Sequence, residues 1–185
     1  LLSVFNADLF NQVSHFMGTN PFVQFVLQPV LIGGFIVHLI MGMILDYKNR
    51  SSTSTRYAYN KKDNSSWTSR NMIITGTMIF LFICLHFYDF WIPEINTKFI
   101  KGDWSGMHHG EFRYFEELKH KFDDLWRVIL YVLSFIFLSL HLLHGFQSSF
   151  QSVGVRSKSS TPIIQRISII YAILVPAGFV FIAIY

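Results

Sequence analysis

Residues 131–147 read YVLSFIFLSLHLLHGFQ. The run is apolar at almost every position, yet it carries His141 and His144 near its far end. A stretch of this length and composition predicts a membrane helix. An ionisable side chain at bilayer depth is costly and by default marks a functional site, so the question is what these histidines meet.

Composition agrees with the membrane reading. Of 185 residues, 51% are hydrophobic and only 14% are charged, with a mean hydropathy of +0.38, too apolar for an ordinary soluble domain of this size. The expected fold class is an all-α membrane protein, a transmembrane helix bundle, and no nucleic-acid partner is expected. Aromatics reach 17%, with 20 Phe; flat rings can line a flat ligand, and they also build interfacial belts. The single cysteine, Cys84, excludes an intrachain disulfide and a thiolate cluster. No C-x-x-C-H motif occurs, which excludes covalent c-type haem.

One domain, 1–185, holds four visible spans at about 22–45, 72–92, 128–150 and 163–185. Each is about 20 residues, enough to cross a ~30 Å hydrocarbon core as a helix. The first is opened by Asn20-Pro21, closed by Asp46-Tyr47-Lys48, and contains His38. The second contains His86 and is expected to stop at Pro93; the fourth contains Pro176 and no histidine. Leu1 to Asn20 shows neither a start methionine nor a signal-peptide pattern. It is expected to be a loop or a surface-lying amphipathic segment, preceded by a fifth, upstream helix.

The connection from Asp46 to Arg70 carries Lys48, Arg50, Arg56, Lys61, Lys62 and Arg70, and the one from Gln151 to Arg166 adds Arg156, Lys158 and Arg166 without an acid. The Pro93 to Arg127 connection mixes its basic residues with acids that include Glu116, Glu117, Asp123 and Asp124. The lysine and arginine bias places the first two connections on the cytoplasmic face. Asn64-Ser65-Ser66 matches a glycosylation acceptor by chance, on the wrong face.

His38, His86 and His141 each lie in the C-terminal half of their span, and alternate spans run in opposite directions. His38 and His141 therefore share the cytoplasmic half, and His86 lies alone in the outer half. Two facing histidines at one depth can clamp a haem iron from both sides. The lone His86 calls for a partner at its own depth, which a histidine on the upstream helix would supply. His38 is followed four residues later by Gly42, and His141 by Gly145; i and i+4 share a helix face, and a missing side chain beside a ligand leaves room for a porphyrin. His86 has Phe90 there instead.

Plainer readings exist for each residue. An intramembrane histidine can be hydrogen-bonded to a neighbouring helix, and small residues at this spacing can be helix contacts. His144 is an alternative ligand to His141, or otherwise a polar or propionate contact. His15, His108, His109 and His120 lie outside the spans and read as solvated, with a surface metal at His108-His109 as the minor alternative.

The segments NPF (20–22), VHLIMG (37–42), NSSWTSRNM (64–72), LHFYDFW (85–91), LHLLHGFQSSFQ (140–151) and LVPAG (174–178) together resemble the cytochrome b membrane subunit of bacterial diheme succinate dehydrogenases and fumarate reductases. That resemblance implies five transmembrane helices with haem-ligating histidines on the first four. By position it implies His38 and His141 on the haem proximal to the hydrophilic subunits, and His86 on the distal haem. The family's first helix, with its histidine, has no match in this sequence.

The resemblance further implies two haem b groups as cofactors, and a flavoprotein subunit and an iron–sulfur subunit as partners. Electrons from succinate would pass to a membrane quinone, expected to be menaquinone, or run backward to fumarate, with the succinate chemistry on another subunit. The expected location is the bacterial cytoplasmic (inner) membrane, in contact with lipid. His15 and Gln12, in the segment from Asn11 to Thr19, are candidates to hydrogen-bond a quinone carbonyl. Arg56, Trp67 and Arg70 are candidates to meet the iron–sulfur subunit or haem propionates. Two rivals stay open: a quinol-oxidising cytochrome b of a nitrate reductase, formate dehydrogenase or hydrogenase, and a haem-free anchor, assembly factor or transporter.

Overall fold

A computed structural model of the chain describes residues 2–51, 71–108, 110–155, 157 and 160–185. Arg56, Lys61, Lys62, Asn64, Trp67, Arg70, His109, Arg156 and Lys158 lie outside the described residues. The elements in order are α1 (Leu2–Phe5), α2 (Ala7–Thr19), α3 (Val23–Ser51), α4 (Met72–Ile100), a two-stranded hairpin of β1 (Met107–His108) and β2 (Glu111–Phe112), α5 (Tyr114–Phe122), α6 (Leu125–Ser152) and α7 (Ser160–Ile184). The long helices α3, α4, α6 and α7 are each apolar and long enough to cross a membrane.

Their starts are written locally. The Asn20 side chain accepts from the N–H groups of Phe22 and Val23 at 3.0 and 3.2 Å, with Pro21 where a missing N–H costs nothing. Asp124 Oδ1 accepts from Trp126 N–H at 3.2 Å to open α6, satisfying one of the orphan donors of its first turn. The segment before the first span is helical rather than a loop. Asn6 caps α2 by accepting from Leu9 N–H at 2.9 Å.

The second span differs from the expectation that it ends at Pro93. α4 runs on through that proline to Ile100. The reason is a widened turn over Phe87–Trp91, in which Ile92 N–H bonds to Phe87 C=O, five residues back. A π-type turn of this kind relaxes the close i→i−4 ladder that a proline ring disrupts. The same arrangement recurs in α3, where Val23–Leu27 forms a wide turn just ahead of Pro29. At 29 residues, α4 is about 43 Å long, so its last turns reach past a ~30 Å hydrocarbon core.

Packing is centred on α6. Tyr131 and Phe135 are buried with Ala183 of α7, and Phe82, Leu85 and Phe90 of α4 and Phe122 of α5 close around them. Toward the other end of α6, Phe146 stacks on Tyr171 of α7 at 4.5 Å between ring centroids. α3 lies against α4 through the stacked rings of Phe35 and Phe80, 6.5 Å apart. Its surface is otherwise largely exposed within this chain, including Val37, Ile40 and Met41.

Candidate functional site: paired histidines within the helix bundle

His141 sits on α6 where that helix passes the first turns of α4. Its Nδ1 lies 3.1 Å from Thr75 Oγ1. A Cβ built on Gly76 would stand 3.5 Å from His141 Cε1, and one on Gly145 would stand 3.8 Å from His141 Cδ2. The imidazole therefore lies in a notch between the glycine of α4 and the glycine one turn along its own helix. From α3, the ring of His38 reaches to 6.2 Å between centroids at an interplanar angle of 83°. A Cβ at Gly42 would meet nothing within 4 Å, so the space beside His38 is open.

His86 lies further along α4, flanked by Phe82 at 5.9 Å and Phe90 at 5.2 Å. It is ten residues from Gly76, which corresponds to about 15 Å of helical rise. One turn beyond it, buried Asp89 accepts from Arg127 Nε and from Tyr131 Oη, each at 3.0 Å, and Lys121 Nζ stands 3.9 Å from its other oxygen. His144 meets Ser148, on its own helix, at 3.2 Å.

His15 and Gln12 are placed differently from each other. Gln12 is exposed on α2. His15 is half-buried, its ring 4.9 Å from that of Phe112 and its Nδ1 3.5 Å from Tyr114 Oη. Beside them, Lys98 is 2% exposed and pairs with Glu94 at 2.6 Å while donating to Gly18 C=O. Arg113 bridges Glu94 and Glu117. Burial works against the Arg113 charge, but the two carboxylates outweigh it and hold the guanidinium above its ordinary pKa. Burial, with Glu94 nearby, also raises the Tyr114 phenol, which stays a neutral hydrogen-bond donor.

Sequence reading did not single out Thr75 and Gly76. The signal available was a hydroxyl and a glycine side by side near the start of an apolar span, at the depth that His141 reaches from the opposite direction. Asp89, Lys98 and Tyr131 were likewise passed over. His108 and His120 are exposed, the latter 3.7 Å from Asp123.

The chain matches the family described as the succinate dehydrogenase/fumarate reductase transmembrane subunit over residues 46–181. It belongs to that family. No curated protein and no solved structure matches it. Membership makes the chain a membrane subunit of a succinate dehydrogenase or fumarate reductase complex, and it sets aside the nitrate reductase, formate dehydrogenase and hydrogenase cytochromes. The matched stretch includes His86, His141 and Gly145, whereas His38, Gly42, His15 and Gln12 precede it.

The residues of this transmembrane subunit can be tested against a haem. Among the described residues no three His, Cys, Asp or Glu side chains gather as a metal cage. Two imidazoles are what a porphyrin iron requires of a protein, because the macrocycle supplies the other four nitrogens. With metal–nitrogen bonds of about 2 Å, two imidazoles in line across one ion place their centroids about 6 Å apart. The 6.2 Å between His38 and His141 fits, and so does the open space at Gly42.

Proposed function

We propose that this subunit passes electrons between the iron–sulfur subunit of its complex and a membrane quinone through two b-type haems. The observation that carries the reading is the ring-to-ring approach of His38 and His141 across two helices that are distant in sequence. These two residues hold the proximal haem, with Gly42 and Gly145 leaving room beside the ligands. His86 holds the distal haem with a second ligand that the described residues do not supply. Bound there, a haem would supply a one-electron centre, and ligation by two histidines would favour electron transfer over oxygen chemistry. The residues that would hold the two lie at different levels of the bundle, since Gly76, beside His141, and His86 are about 15 Å apart along α4.

The remaining residues take supporting roles. His144 offers a polar contact to the proximal haem from one turn along α6. The quinone, menaquinone in the first instance, reacts on the outer side near the distal haem, where His15 has Tyr114 and Phe112 about it, and Gln12 is open to a ligand. A second position on that side is favoured by a chain of rings. His86 stands beside Phe90, Phe90 lies 6.5 Å from Phe122, and Phe122 lines a cavity of about 300 Å³ with Phe115, Lys119, Asp123 and Tyr185. Arg56, Trp67 and Arg70, which lie outside the described residues, are assigned from sequence alone to contacts with the iron–sulfur subunit or the haem propionates, on the cytoplasmic side of a bacterial inner membrane.

The test is the reduced-minus-oxidised optical spectrum of the purified complex, with haem b quantified per complex. Two haems are expected, falling to one in His38→Ala and His141→Ala alike, and losing the other in His86→Ala. A colourless wild type overturns the reading in favour of a haem-free anchor. Quinone reductase activity then separates the two outer positions, since His15→Ala and Phe122→Ala report on different pockets.

A further inference from the structure

We infer that Thr75 of α4 is a positioning residue for His141, fixing which nitrogen of its imidazole is free to bind metal and how strongly it donates. The inference rests on the haem reading above. Thr75 Oγ1 lies 3.1 Å from Met72 C=O and 3.3 Å from Asn71 C=O, in its own helix. A threonine hydroxyl has one proton and two lone pairs, and on this inference the proton goes to a carbonyl of its own helix. Its lone pairs are left to face His141 Nδ1 at 3.1 Å. His141 is the donor in that arrangement, with hydrogen on Nδ1 and the free lone pair on Nε2.

Two further observations point the same way. Thr75 is 1% exposed, so water does not compete for its hydroxyl, and the polar atom would be costly to bury without these partners. The two glycines abut the rest of the ring: Gly76 faces Cε1 and Nδ1, and Gly145 faces Cδ2. Nε2 is the nitrogen neither covers. Among the described residues His38 has no hydrogen bond of this kind, which makes the two imidazoles unequal donors. An Nδ1–H given to an acceptor raises the basicity of the opposite nitrogen and orients the ring. A more basic ligand stabilises the oxidised iron, so Thr75 lowers the potential of the proximal haem alone.

The experiment compares Thr75→Val, which keeps the shape and removes the hydroxyl, with Thr75→Ser, which keeps the hydroxyl. Both are made in the assembled complex. Midpoint potentials of the two haems are read by optical redox titration, and the low-spin ferric signals by electron paramagnetic resonance. Thr75→Val is expected to raise one potential and shift one ferric signal, leave the other haem unmoved, and be reversed by Thr75→Ser. Loss of that haem from the valine variant, with retention in the serine variant, supports the same assignment. Unchanged potentials and signals in Thr75→Val overturn it, as does equal loss or equal shift in both variants. A wild type without haem would instead fail the function proposed above.

Discussion

Asp89 and Arg127 pair at 3.0 Å between α4 and α6, with the carboxylate fully enclosed and the guanidinium a quarter exposed. Tyr131 donates to the same oxygen at 3.0 Å. This polar knot lies one helical turn from His86 and fixes the C-terminal half of α4 against the helix that carries His141. Removing one partner of a buried pair leaves the other uncompensated, at a cost of about 3 kcal/mol. Asp89→Ala is therefore expected to lower the thermal midpoint of the detergent-solubilised complex and to disturb the His86 haem before the His141 haem. Equal stability in wild type and variant would show that the pair is dispensable.

Gly76 answers to the volume of the His141 notch. A methyl group there would stand at ordinary contact distance, 3.5 Å from Cε1, so Gly76→Ala is expected to keep both haems. Gly76→Leu drives a branched side chain into the imidazole, and proximal haem content should fall by more than half. Haem b per complex, read from the α-band, decides between these outcomes.

Gly106 shapes the surroundings of His15. Its φ is +65°, and an added Cβ would lie 2.9 Å from His15 Nδ1 and closer still to Tyr114 Oη. The left-handed backbone alone costs an L-residue about 1–2 kcal/mol, and the crowding adds to it. Gly106→Ala is expected to displace His15 and raise the KM for quinone, with both haem spectra unchanged. If His15 has no part in quinone binding, KM will not move.

Lys98 joins α4 to α2 by donating to Gly18 C=O, and pairs with Glu94 on its own helix. Because its side chain is 2% exposed, Lys98→Met leaves two buried acceptors short of a donor, at about 2 kcal/mol. Faster cleavage near Thr19 in limited proteolysis is the expected sign, and an unaltered digestion pattern would count against the tether.

Asp103 gives a pH dependence whose sign is fixed. Its carboxylate accepts from Ser105 Oγ at 2.6 Å and from Ser105 N–H at 2.9 Å, and these bonds hold its pKa below the ordinary carboxylate value. A folded pKa lower than the unfolded one contributes stability that is present above the unfolded pKa, about 3.9. That contribution is lost as pH falls through the lowered, folded value. Protease nicking of the 101–106 connection should rise on acidification through this window, and Asp103→Asn should flatten the profile.

Hydropathy determined the helical membrane class and the four apolar runs, and with them the position of each histidine along its helix. These depend only on local composition and on helical rise, which any helix of that sequence obeys. The helix start at Asn20 is legible too, because a cap is a contact between near neighbours in the chain. Tertiary structure decided what local composition cannot carry: how each helix is rotated about its axis, and so which faces meet. That rotation brought Thr75 and Gly76 to His141, enclosed Asp89 and Lys98, and separated half-buried His15 from exposed Gln12. It also carried α4 past Pro93, where a single wide turn absorbed the proline that the sequence alone reads as a stop.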